Sequence, residues 1–264
     1  MLLPLIALDR VLHVGSLDPA RRGERHATSY EGGGLSVSPC PRAWRAMASL
    51  EGPTWRLDRP GALWLDLLAL GNEGRGAAVL HGEPAGLVAV GPVWRAWVWE
   101  EDRQGWASLE RREEVEARDI GLNSNWVPPG GERTVEAVLA ALPEGTPPPP
   151  GGRLWERVEL PLLTEAGNAR ALGFGRWRDA GDMAAMFWAE DVLRGAEPDL
   201  VGVWWREPYR PRADQAPRGA VLPACVAGFA AGRAGRTSDM RELAAVPGTA
   251  WREVDVPAAG RCLA

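Results

Sequence analysis

At 264 residues, 45% of them hydrophobic and 25% charged, the chain is long enough and apolar enough to bury a substantial core. Its formal net charge of -5 argues against a protein whose main task is to coat nucleic acid. Three widely spaced cysteines (Cys40, Cys225, Cys262), three histidines and no CxxC or HExxH exclude a disulfide framework and the common zinc signatures, so no metal site is expected.

All 30 basic residues are arginine, and isoleucine occurs only as Ile6 and Ile120. Together with 32 Gly and 23 Pro, this points to GC-rich coding, so an individual arginine is not in itself a sign of phosphate recognition. Without lysine there is no GxxxxGK[ST] phosphate loop, and no GxSxG elbow occurs. No apolar run reaches the length of a membrane span, and residues 1–8 lack the basic leader of a signal peptide. A cytoplasmic protein with no membrane association is the expectation.

In chain order, residues 11–16 read as a first strand that turns at Gly15. The polar, glycine-rich residues 21–34 read as a loop, and residues 35–38 as a short strand. Residues 41–50 place Trp44, Met47 and Leu50 at helical spacing, with Ser38 available as a cap. Residues 61–70 form a buried apolar segment. Residues 92–110 predict a hairpin turning at 101–105, and residues 134–142 a helix with Val135, Val138, Leu139 and Leu142 on one face.

Four prolines and two glycines at 147–152 make residues 143–152 a linker or long loop. Strands follow at 154–163 and 173–177, then a helix at 182–194 and a buried strand at 200–205. Ala216-Pro217-Arg218-Gly219 suits a tight backbone approach in which Arg218 meets a phosphate, or it is a plain turn. The elements lack regular βαβ alternation, so a single α+β domain over residues 1–264 is expected, with split mixed or antiparallel sheets and a few flanking helices. The 14 tryptophans, scattered along the chain, are read as core fillers; the sharper alternative is a carbohydrate- or base-stacking surface.

One constellation carries chemistry. His13-Val14-Gly15-Ser16 ends the first strand, and Tyr30-Glu31-Gly32-Gly33-Gly34-Leu35-Ser36-Val37-Ser38 follows. A strand-end histidine can bond a ribose hydroxyl, a neighbouring glycine lets a flat amide approach, and a tyrosine ring can stack on nicotinamide. This order of motifs resembles the ADP-ribosyltransferase-like superfamily, over roughly residues 11–44. The resemblance implies a split-sheet α+β fold and NAD as substrate, with ADP-ribose passed to an acceptor that is protein, nucleic acid or a small molecule. It places His13 on the ribose, Gly15 and Ser16 on the nicotinamide amide and Tyr30 in stacking, with Ser36 or Ser38 supporting the site.

The family's late catalytic glutamate falls on Glu207, on Glu190 or on Glu31. No Glu-x-Glu or Gln-x-Glu pair stands in the expected place, which leaves catalytic activity less secure than the fold. The implied role is a bacterial toxin or defence effector. The alternative is a non-catalytic binding protein of a toxin–antitoxin or defence operon, partnered with a neighbouring gene product.

Overall fold

The computed structural model describes residues 1–21, 30–31, 33–47, 49–72, 86–122, 134–171, 180–205, 218–232, 234–237 and 246–256. The chain is an α+β protein that divides into two compact units, one made of residues 1–88 and 163–264 and the other of residues 89–162.

The larger unit is built on a seven-stranded sheet. Its strands, in chain order, are β1 (Leu2–Ala7), β3 (Tyr30–Glu31), β4 (Gly34–Val37), β6 (Leu63–Asp66), β10 (Leu200–Trp205), β11 (Arg218–Val221) and β13 (Ala250–Glu253). Their spatial order is β13-β1-β6-β10-β11-β4-β3, with β6 and β10 parallel and the other neighbours antiparallel. A second, antiparallel sheet has the order β12-β5-β2, where β2 is Arg10–Val14, β5 is Thr54–Asp58 and β12 is Ala234–Thr237. The predicted first strand is therefore the second. The apolar start of the chain is itself a strand, held between β13 and β6.

The inner strands of the sheet are buried on both sides and read as apolar runs rather than alternations, whereas edge strand β13 is exposed. All six residues of β10 are buried. Alternation along β10 sends Trp204 to one face and Trp205 to the other. On the Trp204 side the Trp64 and Trp204 rings meet edge to face at 5.5 Å, and Trp64 packs against Phe229. The room for these rings comes from missing side chains on the neighbouring strands. A Cβ on Gly202 would lie 2.3 Å from the Trp64 ring, and one on Gly219 would lie 2.5 Å from Trp204. These two mid-strand glycines weaken local β propensity and are kept by close packing.

Helices flank the sheet: α1 (Pro41–Met47), α2 (Leu67–Asn72) and later a nearly continuous run from Ala180 to Ala196. That run opens as an α-helix (Ala180–Trp188), widens into a π-helical turn (Ala189–Leu193) and closes with one α turn (Arg194–Ala196). Its Met183, Met186 and Phe187 join the core with Val201 and Val203. A further helix, Pro223–Gly232, supplies Cys225, Val226 and Phe229 to the same core.

The smaller unit contains the predicted hairpin, β7 (Val88–Glu100) and β8 (Gly105–Arg111), in register Trp99 to Trp106 and Trp97 to Ser108. β9 (Trp155–Leu163) completes a three-stranded sheet of order β8-β7-β9. Two helices, Glu114–Gly121 and Val135–Ala141, pack Val138 with Leu122 and Leu154 in a small core. The second is capped by Thr134, whose hydroxyl accepts from the Ala137 amide at 3.1 Å. The proline run is not a boundary between the units. It lies inside the smaller one, with a 3-10 turn at Pro150–Gly152 before β9.

Candidate functional site

The predicted N-terminal constellation folds where β2 and β4 approach each other. Leu12 bridges to Ser38, and the Ser38 amide donates to the Leu12 carbonyl at 2.8 Å. His13 is fully buried here. Its Nδ1 lies 2.7 Å from the Ser36 carbonyl and its Nε2 lies 3.2 Å from the Ser16 carbonyl. Burial lowers the His13 pKa to about 4, although both carbonyls favour the protonated ring. At neutral pH the ring is uncharged and owns one N–H, which the geometry assigns to Nδ1 and the shorter contact. His13 thus ties the ends of two strands together and turns no nitrogen toward a ligand.

Gly15 is similarly committed. Its φ of +114° suits glycine, its amide donates to the Pro53 carbonyl at 2.9 Å, and its carbonyl accepts from the Trp55 indole at 2.7 Å. The backbone groups that the resemblance assigns to nicotinamide are both bonded within the protein. Ser16 accepts from the Asp18 amide and is partly exposed. Ser38 accepts from the Cys40 amide at 3.0 Å, holding the entry to α1. Ser36 is fully buried on β4 opposite Ala220, and its hydroxyl has no hydrogen-bond partner. Tyr30 and Glu31 form β3 against Leu35 and Gly34. Glu207 lies outside the described residues, two positions beyond Trp205, as does the strand expected at 173–177.

What the fold assembles beside Ser36 and Ser38 is an arginine between two indoles. Arg218 opens β11, in register with Trp205 at the end of β10. Its guanidinium carbon sits 5.0 Å from the Trp205 ring centre and 5.7 Å from that of Trp44 on α1. The Trp205 indole donates to Asp182 at 2.6 Å, which fixes its orientation from the first turn of the flanking helix. Trp44 is buried with Val14 and Leu50, and its own indole N–H has no acceptor. Two buried side chains with unmet polar atoms, Ser36 and Trp44, thus come from neighbouring parts of one strand-end cluster. Sequence reasoning weighed Arg218 as a phosphate contact or a turn. It missed Trp44, Trp205 and Asp182 as its supports, because their convergence depends on β10 pairing with β11.

Glu190, a candidate for the charge-stabilising glutamate, is engaged within the fold through one of its two carboxylate oxygens. One carboxylate oxygen accepts from the Ala224 amide at 2.9 Å, at the start of the Pro223–Gly232 helix, and Arg194 approaches the same oxygen at 3.8 Å. The neighbouring Asp191 takes Arg170 in two 2.7 Å bonds, with the Arg170 guanidinium stacked on Phe187. That bidentate pairing, through hydrogen bonds and charge, raises the Arg170 pKa above its usual value. Burial also raises the pKa of the Cys225 thiol, against the pull of Arg194 and Arg59, so it rests as a thiol. Among the described residues no group of three or more potential ligands could hold a metal ion, and no helix is long and apolar enough to cross a membrane.

No protein-family model matches the chain, and neither does any curated protein or solved structure.

Proposed function

We propose that the chain is an NAD-binding protein of the ADP-ribosyltransferase-like kind, with its ligand seated at the Arg218 end of the large sheet. The observation that carries this reading is the Arg218 guanidinium stacked between Trp44 and Trp205, next to Ser36 and Ser38 of β4. A dinucleotide offers what such a cluster recognises: anionic phosphates for a guanidinium that two buried indoles hold in place. Glu207, two positions after the strand that ends at Trp205 in the sequence, is the carboxylate expected to stabilise the oxocarbenium-like transition state. In this arrangement Arg218 makes the anionic contact and His13 holds the floor beneath Ser36.

The second reading, a binding protein without catalysis, is favoured by Gly15, whose amide and carbonyl are both spent inside the fold. One pair of measurements separates the two. Calorimetric titration with NAD tests binding, and release of nicotinamide tests turnover. Binding that Arg218→Gln weakens by about tenfold or more supports the site. Turnover that Glu207→Gln removes, with binding retained, supports the transferase. Binding without turnover selects the second reading, and absence of NAD binding by the intact chain overturns the first.

A further inference from the structure

The smaller unit has a cleft of its own that the NAD reading does not use. It has a volume of about 530 Å³, within the range of small-molecule sites, and is bordered by Trp94 of β7, Glu114 of the first helix and the chain entering β9. That last segment contributes Arg153, Trp155, Glu156 and Arg157. We propose that this cleft binds a neutral carbohydrate, a short oligosaccharide whose rings stack on Trp94 and Trp155.

Three properties of the lining point to that chemistry. The first is its aromatic content. Trp94 and Trp155 are each only partly buried, so both retain indole surface at the cleft. An indole left half-exposed in this way is suited to the apolar C–H face of a pyranose, since such rings combine contact area with low loss of freedom.

The second property is charge. Two guanidinium and two carboxylate groups line the cleft, so their formal charges cancel. A phosphate or an acidic peptide meets Glu114 and Glu156, and a strongly basic peptide meets Arg153 and Arg157. An uncharged ligand rich in hydroxyl groups is opposed by neither pair. Planar guanidinium and carboxylate groups also match adjacent hydroxyls, one as donor and the other as acceptor.

The third property is how these groups are engaged. Glu156 accepts from the Trp97 indole at 3.3 Å and lies 3.9 Å from Arg95, which fixes its carboxylate against the sheet. Arg157 makes only a loose 3.8 Å contact with exposed Glu159. Arg153 and Glu114 are exposed, and among the described residues neither has an ion-pair partner. The cleft therefore combines one anchored carboxylate with arms whose donors and acceptors remain available to a ligand. The tryptophan excess of the sequence then has two uses: packing in one unit and a platform in the other.

An array of immobilised glycans, neutral and anionic, probed with the full chain tests the inference. Calorimetry with the best-bound soluble oligosaccharide follows, together with chitotriose and maltotriose as fixed probes. The expected result is binding confined to neutral glycans, weakened about tenfold by Trp155→Ala and by Trp94→Ala and less by Arg153→Ala. Trp155→Phe, which keeps a ring and the packing, should retain most of the affinity, separating loss of stacking from loss of fold. The inference is overturned by an array with no signal above the Trp155→Ala control, by signal confined to sulfated or sialylated glycans, or by binding that both tryptophan variants leave intact. NAD titration of the same variants is expected to be unchanged, so failure here and failure at Arg218 are read separately.

Discussion

The two units use the same residue type in different proportions. In the larger unit Trp64 and Trp204 are fully buried, and Trp44, Trp188 and Trp205 nearly so, while Trp55 is partly buried and Trp251, on edge strand β13, is exposed. Among the described residues of the smaller unit only Trp99 is buried, while Trp94, Trp97, Trp106 and Trp155 keep part of their surface in water. The difference follows from sheet geometry. A seven-stranded sheet covered on both faces has an interior wide enough to hide indoles, provided glycines such as Gly202 and Gly219 make room. A three-stranded sheet with a short helical cover does not. Tryptophan is thus core material in the middle of the wide sheet, and it keeps part of its surface at that sheet's edge and across most of the narrow one.

The largest expected effect tests that contrast directly. Trp64→Ala removes a ring that packs on Trp204 and Phe229 and donates to the Leu8 carbonyl at 3.0 Å. Denaturant unfolding should show a loss of about 3–5 kcal/mol. Trp155→Ala, by contrast, should cost less, about 2 kcal/mol, because part of its surface stays in water while the rest packs on the small core. Equal losses at the two sites would break the distinction between core and platform.

The next effect belongs to the larger unit alone and is read from pH. His13 has a folded pKa of about 4 against an ordinary value of 6.5. A base whose pKa falls on folding binds fewer protons in the native state than in the unfolded state. Its contribution is therefore whole above pH 6.5 and is lost progressively as pH falls toward 4. The shift corresponds to about 3 kcal/mol over the full interval. Urea unfolding between pH 7 and 5, above most carboxylate titration, should show stability falling with acid in the wild type. The slope should flatten in His13→Gln, at some cost in stability at pH 7. A wild-type slope unchanged in the variant would remove His13 from the buried, neutral role.

His13 also shows where sequence reasoning reaches its limit. Its position at a strand end was legible from the apolar run and the turn at Gly15, and β4, β10, the hairpin and the helix from Ala180 were legible from periodicity in the same way. What periodicity does not report is the direction a polar side chain takes once a second strand arrives. The Ser36 carbonyl that claims His13 lies 23 positions away and is delivered by tertiary pairing. Arg218 became a strand residue through its partner Trp205, and the proline run became internal to a unit through β9 pairing with β7. Nor does periodicity report that Trp64 fills the space a side chain at Gly202 would need.

The smallest expected effect compares two helix caps of the same type, one in each unit. Thr134 accepts from the Ala137 amide at 3.1 Å, and among the described residues its side chain makes no other bond. Thr164 accepts from the Gly167 amide at the same distance and also donates to the Gly86 carbonyl at 2.6 Å. Replacing Thr134 with alanine removes one bond to an orphan helical amide and should cost about 1 kcal/mol. The same change at Thr164 removes that bond and a second one spanning 78 positions, for about 2 kcal/mol. Native-state hydrogen exchange is the suitable measurement, because it reports each helix separately even when the units open at different free energies. The Thr134 change should speed exchange at Val138 and leave the Ala180–Trp188 helix untouched. If Thr134→Ala instead accelerates exchange across both units, they unfold as one, and the contrast drawn from their tryptophans is a contrast of packing rather than of stability.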